Sequence, residues 1–155
     1  MVVDADGGSA RSLTGDFELS AGAPRWSRDG ATLYFVAEQG TESHVFSVPA
    51  SGGAVTRVTS GTFVHGSLDL SRDGRRMAFL REDPRTPPDV WMSAVDGSSP
   101  IRLTTANPQL DGIALARTEV MTWKGADGWT IEGILVTPAG FQAGRRYPLI
   151  VEAHG

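Results

Sequence analysis

Short apolar segments separated by turn residues run through the first two thirds of the chain. The tetrapeptide Ser-Arg-Asp-Gly occurs at residues 27–30 and again at 71–74, and an apolar run follows it both times. Asp can hydrogen-bond its own backbone and Gly accepts a positive φ, so each tetrapeptide predicts a tight turn between two strands. The pattern favours short strands joined by hairpins, and the 19 glycines and 9 prolines agree with a fold rich in turns.

Three groups of residues recur in the same order along the chain. Thr14, Thr59 and Thr104, each preceded by an apolar residue, are spaced 45 residues apart. The two Ser-Arg-Asp-Gly turns are offset by 44 residues. A third group of turn-like segments keeps the same order, at residues 3–8, 48–53 and 95–98. A fixed period of this length is typical of repeat folds, in which each unit packs against its neighbours.

Each period predicts four short strands connected by hairpins, which is the make-up of one β-propeller blade. The first period gives strands at residues 24–26, 32–37, 43–48 and 55–59, with a polar loop at 38–42. The second gives strands at residues 67–70, 76–81, 89–94 and 100–104, with a longer insertion at 82–88. An antiparallel β-sandwich with coincidental turns is the alternative. Because a blade cannot bury both faces alone, we expect about two blades that belong to a larger protein.

The repeat ends after Thr104, and the loop-rich residues 105–112 predict a domain boundary. We therefore assign residues 1–112 to the C-terminal blades of a β-propeller. Residues 113–155 are assigned to the start of a second domain.

This second domain begins with a different pattern. Strict alternation predicts a hairpin with strands at residues 119–124 and 129–136 around a Gly-Ala-Asp-Gly turn. After a loop, residues 147–153 form a nearly continuous apolar run. Such a run is typical of a strand that is buried on both faces, so it predicts a central strand of a sheet.

The order of residues in the second domain is specific enough to compare with known families. Glu-Val-x-x-Trp-Lys from Glu119, Asp-Gly-Trp-x-Ile-Glu-Gly from Asp127, Pro-Ala-Gly from Pro138 and Tyr-Pro-Leu-Ile-Val-Glu-x-His-Gly from Tyr147 follow one another. This order resembles the entry into the catalytic domain of the prolyl oligopeptidase family of serine peptidases, close to its acylaminoacyl-peptidase and dipeptidyl-peptidase branches. Residues 1–104 are similar to the family's propeller, and also to Tol-type propellers.

The resemblance implies a mostly β chain, in which a partial β-propeller of Tol-type repeats leads into the first strands of an α/β-hydrolase domain. It implies a serine peptidase with a Ser-Asp-His triad, in which the propeller gates access for short peptide substrates. Contacts to the missing blades and to the rest of the hydrolase domain are expected as well. Two alternatives stay open: a Tol-type propeller that binds proteins without catalysis, and an esterase on the same hydrolase fold.

His154 and Gly155 match the first two positions of the His-Gly-Gly-Pro loop that helps to form the oxyanion hole in the resembled family. A donor there stabilises charge on the scissile carbonyl oxygen by about 3 kcal/mol. The donor is either the His154 side chain or a main-chain N–H, and a third possibility is that His154 merely ends a strand. The Gly-x-Ser-x-Gly nucleophile motif of this fold is absent from the 155 residues. We therefore expect the triad to lie beyond residue 155 and the chain alone to be inactive.

The remaining candidate residues are better explained by structure than by chemistry. His44 and His65 lie in the repeats without a Ser or Asp partner at a recognisable spacing, so packing roles are expected. Turn roles are expected for the aspartates Asp4, Asp6, Asp29, Asp73 and Asp96. Packing is expected for Trp26 and Trp91, whereas Trp123 and Trp129 flank the junction hairpin. No calcium-loop or zinc spacing occurs, so no metal site and no cofactor are predicted.

Composition narrows the possible partners. Fourteen Lys and Arg residues against 18 Asp and Glu residues give a formal net charge of -4 without a basic cluster, which disfavours nucleic acid and anionic membranes. No apolar stretch approaches the ~18 residues of a membrane span. The chain has no cysteine, which excludes disulfides and thiolate metal sites and leaves the cellular compartment open.

Overall fold

The computed structural model describes residues 1–153, and the regular structure in this range is almost entirely strand. The strands are β1 (Arg25–Trp26), β2 (Thr32–Gln39), β3 (Glu42–Pro49), β4 (Thr56–Arg57), β5 (Val64–Leu70), β6 (Arg76–Asp83), β7 (Thr86–Ala94), β8 (Ile101–Arg102), β9 (Arg117–Lys124) and β10 (Thr130–Thr137). A short 3₁₀ helix at Pro108–Leu110 lies between β8 and β9. The described range contains no helix able to cross a membrane. The prediction of a mostly β chain is confirmed.

Eight of these strands pair into two four-stranded antiparallel units. Unit 1 has the order β1-β2-β3-β4 and unit 2 the order β5-β6-β7-β8, so consecutive strands are neighbours. One parallel residue pair, Ser43 with Val64, joins β3 to β5. The units match the two predicted four-strand repeats strand for strand, whereas their place in a complete propeller ring stays a prediction.

The long hairpin of each unit is tighter than predicted. The polar loop predicted at residues 38–42 is wrong, because β2 and β3 stay paired up to a two-residue turn at Gly40 and Thr41. The insertion predicted at residues 82–88 is wrong in the same way, since β6 and β7 leave only two residues between them. Polar residues at a hairpin tip can extend a paired strand because their side chains reach solvent, so polarity alone does not mark a loop there.

The two Ser-Arg-Asp-Gly turns share the same hydrogen bonds. Ser27 Oγ donates to Asp29 Oδ1 at 2.6 Å, and the same oxygen accepts the N–H of Ala31 at 3.0 Å. The equivalent bonds around Ser71 and Asp73 are also 2.6 and 3.0 Å long. The glycine after each aspartate has a φ of 69° in the first turn and 71° in the second. The predicted turn roles of both aspartates are confirmed.

The recurring threonines also share one role. Thr59 Oγ1 accepts the N–H of Val45 at 3.0 Å, and Thr104 Oγ1 accepts the N–H of Val90 at 2.9 Å. Each threonine follows the fourth strand of its unit and fastens that segment to the third strand. The 45-residue spacing in the sequence therefore corresponds to a repeated atomic contact.

Two apolar clusters hold the units in place. The first lies on β2 and β3 and is covered by the N-terminal segment through Leu13 and Phe17. The second joins the units, because Val45 of β3 packs with Met77 and Phe79 of β6. Unit 1 therefore buries one face against the N-terminal segment and the other against unit 2, whereas unit 2 buries one face against unit 1.

The junction hairpin, β9 with β10, confirms the second predicted pattern. Its strands pair from Thr130 with Lys124 to Thr137 with Arg117. Residues 147–153, by contrast, form no strand, although a buried central strand was predicted there. Ile150 in that run is 91% exposed. A central strand needs a neighbouring strand on each side, and residues 1–153 supply none at this position.

Candidate functional site

His154 and Gly155, the predicted start of an oxyanion loop, lie outside the described residues. Their contribution to a site therefore stays a prediction. The described residues form a cleft, place one arginine between two aromatic rings, and contain two buried hydrogen-bond networks.

A cleft of about 330 Å³ lies between the hairpin tips of the two units and the junction hairpin. Phe63, Val120 and Ile134 contribute to its largely apolar wall. Most of the other lining residues are polar, namely Thr41, Glu42, Thr62, Glu82, Asp83 and Thr118, and Val64 and Pro84 complete the lining. The lining contains threonine hydroxyls and carboxylates but no serine, histidine or lysine, so it holds no Ser–His pair of nucleophile and base.

The junction hairpin also touches unit 1 directly. Glu132 of β10 lies against the turn at Gly40 so closely that a side chain at position 40 would collide with its carboxylate. Gly40 has a φ of 62°, a conformation that already favours glycine. The backbone conformation is the reason for glycine at this turn, because the flexible Glu132 carboxylate could move away from a side chain.

Arg81 of β6 is held between two aromatic rings. Its guanidinium carbon lies 3.2 Å from the ring centre of Trp91 and 4.1 Å from that of Phe63. Burial lowers the pKa of Arg81, and the charge of Asp83 opposes that shift. The buried indole N–H of Trp91 has no hydrogen-bond partner among the described residues. The stacking braces the wall of the cleft, because Phe63 contributes to that wall.

Asp89 of β7 forms the first buried network, and its side chain is 1% exposed. Its Oδ1 accepts the hydroxyl of Thr104 at 2.6 Å and the N–H of Ala106 at 2.8 Å, and its Oδ2 accepts Nε of Arg102 at 2.9 Å. These bonds lower the pKa of Asp89, with the Thr104 hydroxyl as the largest cause. The carboxylate anchors the end of the repeat just before the boundary segment.

His44 and His65 belong to the second buried network and are 0% and 3% exposed. The His44 ring contacts Glu42 and Thr59, and Nδ1 of His65 donates to the carbonyl oxygen of Ser43 at 2.7 Å. Ser43 Oγ bonds the main chain of His65 rather than its ring. The contact is therefore not a nucleophile–base pair, and the burial agrees with the packing roles expected for both histidines.

The other candidates have mixed outcomes. Asp96 Oδ1 accepts the N–H of Ser98 at 2.9 Å, which confirms its turn role. Trp91 packs against the second apolar cluster, as predicted. Trp26 is 49% exposed, so its predicted packing role is wrong for the described residues, because β1 is a two-residue strand at the edge of unit 1. No group of three potential metal ligands occurs within residues 1–153.

Two of these features were not predicted from the sequence. Arg81 lies two positions beyond Phe79, which pairs with Trp91 across β6 and β7, so period-two alternation places Arg81 on the same face. Asp89 occupies the position of His44 in the repeat, one residue before the valine that bonds the recurring threonine. Aligning the two repeats gives the equivalence of Asp89 and His44, but the contacts of Asp89 require the folded chain.

Curated relatives match nearly the whole chain. Dipeptidyl-peptidase 5 of Porphyromonas gingivalis is 23% identical over 99% of this chain and 22% of its own length. Dipeptidyl-peptidase 5 of Arthroderma otae is 28% identical over 94% of this chain and 20% of its own length. The chain is similar in sequence to these peptidases, which supports the resemblance to the prolyl oligopeptidase family. It spans about a fifth of the length of these relatives.

Solved structures support the same fold. Dipeptidyl peptidase 4 of P. gingivalis, a peptidase of this kind, superposes with a TM-score of 0.69 at 18% identity, over 94% of this chain and 21% of that one. TolB of Acinetobacter baumannii superposes with a TM-score of 0.52 at 17% identity, over 81% of this chain and 31% of that one. No family model matches the chain. The repeat units are therefore shared with both groups, which agrees with the predicted Tol-type repeats.

Proposed function

We propose that this chain is the propeller-to-hydrolase junction of a serine peptidase that cleaves short peptides. In this proposal, residues 1–112 are the last propeller blades and residues 113–155 begin the α/β-hydrolase domain. His154 and Gly155 begin the oxyanion loop, and the Ser-Asp-His triad lies outside the 155 residues. The observation that carries the proposal is the joining of two four-stranded repeats to the motif-bearing hairpin, in a chain that peptidase relatives match over 99% and 94% of its length.

The exposed apolar surface of the second part supports this assignment. Trp129 is 74% exposed, Ile134 is 56% exposed and Ile150 is 91% exposed. Ile134 and Ile150 line one surface depression, and a soluble protein rarely leaves clustered apolar residues in water, so a further layer of structure is expected to cover them. The remaining strands and helices of an α/β-hydrolase would supply that layer.

The proposal is tested on protein that carries this segment within its natural full-length sequence. A fluorophosphonate probe is expected to label that protein and to abolish its hydrolysis of dipeptidyl aminocoumarin substrates. The 155-residue chain alone is the matched control and is expected to stay unlabelled. Labelling of the short chain would contradict the placement of the nucleophile outside it, and a full-length protein without labelling or hydrolysis would contradict the peptidase assignment.

A substitution tests the proposed oxyanion role of His154 in the same full-length protein. If the side chain donates to the oxyanion, His154→Ala lowers kcat by about 10²–10³-fold with little change in KM. His154→Gln keeps an N–H donor and is expected to recover part of that loss. An unchanged kcat in His154→Ala would leave the donor role to main-chain N–H groups of the loop.

A Tol-type propeller that binds other proteins is the second candidate. The superposition on TolB with a TM-score of 0.52 favours it, because that protein shares the repeat units. The sequence that follows residue 155 separates the two candidates. A continuing 45-residue period would support the binding module, whereas a Gly-x-Ser-x-Gly motif would support the hydrolase. Within the hydrolase, hydrolysis of esters without measurable cleavage of any peptide amide would favour an esterase.

A further inference from the structure

The two units meet at a polar seam, which consists of Ser43 and His44 on β3 and His65 on β5. Ser43 Oγ accepts the N–H of His65 at 2.8 Å and donates to the His65 carbonyl oxygen at 2.5 Å. Nδ1 of His65 lies 2.7 Å from the Ser43 carbonyl oxygen. All three residues are buried. The seam therefore joins the units by hydrogen bonds between buried groups.

The partners of each ring fix its tautomer when the ring is neutral. A carbonyl oxygen can only accept, so Nδ1 of His65 carries the proton and its Nε2 has a free lone pair. Nε2 of His44 lies 2.8 Å from a Glu42 carboxylate oxygen and therefore donates to it. Thr59 Oγ1 already accepts the N–H of Val45, so its hydroxyl is free to donate to Nδ1 of His44 at 3.3 Å. Each ring nitrogen other than Nε2 of His65 thus has a hydrogen-bond partner.

The groups around His65 stabilise a protonated, positively charged ring only weakly. His44 and Glu42 face it from β3 and Arg81 faces it from β6, while Phe63 and Phe79 pack against the ring. The two imidazole centres are 5.5 Å apart. Burial is the largest cause that lowers the pKa of His65, and the neighbouring His44 and Arg81 add to it. The Ser43 carbonyl and Glu42 act in the opposite direction but do not reverse the shift.

We propose that the seam is an acid-sensitive latch, in which a proton taken from solvent by Nε2 of His65 weakens the contact between β3 and β5. The two units then separate locally, while the antiparallel pairing inside each unit persists. The latch concerns the repeat units alone, so it holds or fails independently of the proposed peptidase activity.

The sign follows from proton binding. An opened seam exposes His65 to water, where its pKa returns to about 6.5. The open state therefore binds more protons than the closed state once the pH falls below about 6.5, and acid favours opening. Between pH 7.5 and 5.5 the opening equilibrium is expected to rise by up to about tenfold. Asp89, whose pKa is lowered, changes charge only at a pH well below this window.

Hydrogen–deuterium exchange on the natural full-length chain tests the latch. After correction for the intrinsic pH dependence of exchange, the Ser43 and His65 amides are expected to exchange up to about tenfold faster at pH 5.5 than at pH 7.5. The amides that pair Phe35 with Phe46 inside unit 1 serve as the internal control and should keep their protection. Equal protection of the seam at both pH values would overturn the proposal.

Two matched variants identify the titrating group. His65→Asn can keep an N–H donor toward the Ser43 carbonyl but cannot take up a proton, so the pH response of the seam should disappear. His44→Gln keeps a donor toward Glu42, and the response should persist. A response that survives in His65→Asn overturns the proposal. If that variant does not fold, an NMR titration of the wild-type His65 ring decides, because a midpoint at or above 6.5 would overturn the latch as well.

Discussion

The repeat units and the junction hairpin are built from similar strands, but they differ in what covers them. In the units, Phe35 is 2% exposed and Met77 is 0% exposed. In the hairpin, Val120 is 57% exposed and Ile134 is 56% exposed, although the whole ladder between β9 and β10 is formed. Pairing needs only two neighbouring segments, whereas burial needs a second layer. The hairpin is therefore complete as secondary structure and incomplete as a core within residues 1–153.

The largest expected difference between the two regions comes from truncating an apolar side chain in each. Phe79→Ala removes a 2% exposed ring from the cluster between the units and is expected to lower the free energy of unfolding by about 3–5 kcal/mol. Val120→Ala in the 155-residue chain should change it by at most about 0.5 kcal/mol, because Val120 is already exposed. Urea denaturation measures both values.

A comparable loss in the two variants would contradict this comparison, because it would mean that Val120 is buried in solution. Measuring the same two variants in the full-length protein makes the comparison between the two regions sharper. If a hydrolase layer covers the hairpin, Val120→Ala becomes costly there while the effect of Phe79→Ala is unchanged.

Asp89 gives the next largest effect. Asp89→Asn can keep Oδ1 as the acceptor for Thr104 and Ala106, but it removes the charge and places an NH₂ donor against the Arg102 guanidinium, so Tm should fall by roughly 10 °C. Asp69→Asn is the matched control, because the Asp69 side chain is 81% exposed and lies 3.9 Å from Arg25. That control should leave Tm nearly unchanged.

The Asp89 contribution also has a defined pH dependence. Its pKa is lowered in the folded chain, so its stabilising effect is fully present above the unfolded value of about 3.9 and is lost as the pH falls through the folded value. The Tm difference between wild type and Asp89→Asn should therefore be constant from pH 5 to 8 and shrink at pH values below about 4. A difference that already shrinks near pH 6 would point to a histidine instead.

Much of the repeat architecture could be predicted from the sequence, because its signals are local. Ser27 and Asp29 lie within one turn and bond each other whatever the rest of the chain does. The hairpin tips were missed because polar residues such as Thr41 suit both a loop and the solvent-facing end of a strand. Residues 147–153 differ from the predicted strand for another reason. Their apolar run specifies burial, but the strands that would bury them are not among the described residues.

The contacts of the candidate functional residues also divide into local ones and ones between the two units. The seam of Ser43 and His65 depends on β3 and β5 meeting side by side, and no spacing in the sequence marks that parallel contact. Arg81 between Phe63 and Trp91 is partly local, since alternation across β6 and β7 places two of the three on one face. Contacts inside a hairpin can thus be derived from periodicity, whereas contacts between units need the folded chain.

A smaller effect is expected from the threonines that repeat between the units. Thr59→Val and Thr104→Val each leave the N–H of the facing valine without its acceptor and should cost about 1–2 kcal/mol. Thr104→Val also removes the hydroxyl that donates to Asp89, whereas Thr59 makes only a longer contact to the His44 ring, so urea denaturation should show the larger loss in Thr104→Val. A larger loss in Thr59→Val would show that the contact between Thr104 and Asp89 adds nothing to the stability of unit 2.

The smallest effect compares one glycine from each region. Gly74 and Gly128 have φ values of 71° and 85°, and an added Cβ would meet no atom closer than 3.5 Å at either position, so the cost of alanine is one of backbone conformation. Gly74→Ala should lower the free energy of unfolding by about 1 kcal/mol. Gly128→Ala carries the same local cost, but in the 155-residue chain it should only speed amide exchange in β9 and β10 and leave the urea midpoint unchanged. A matching shift of the urea midpoint in both variants would show that the hairpin unfolds together with the repeat units, and the separation between the two regions would then have to be abandoned.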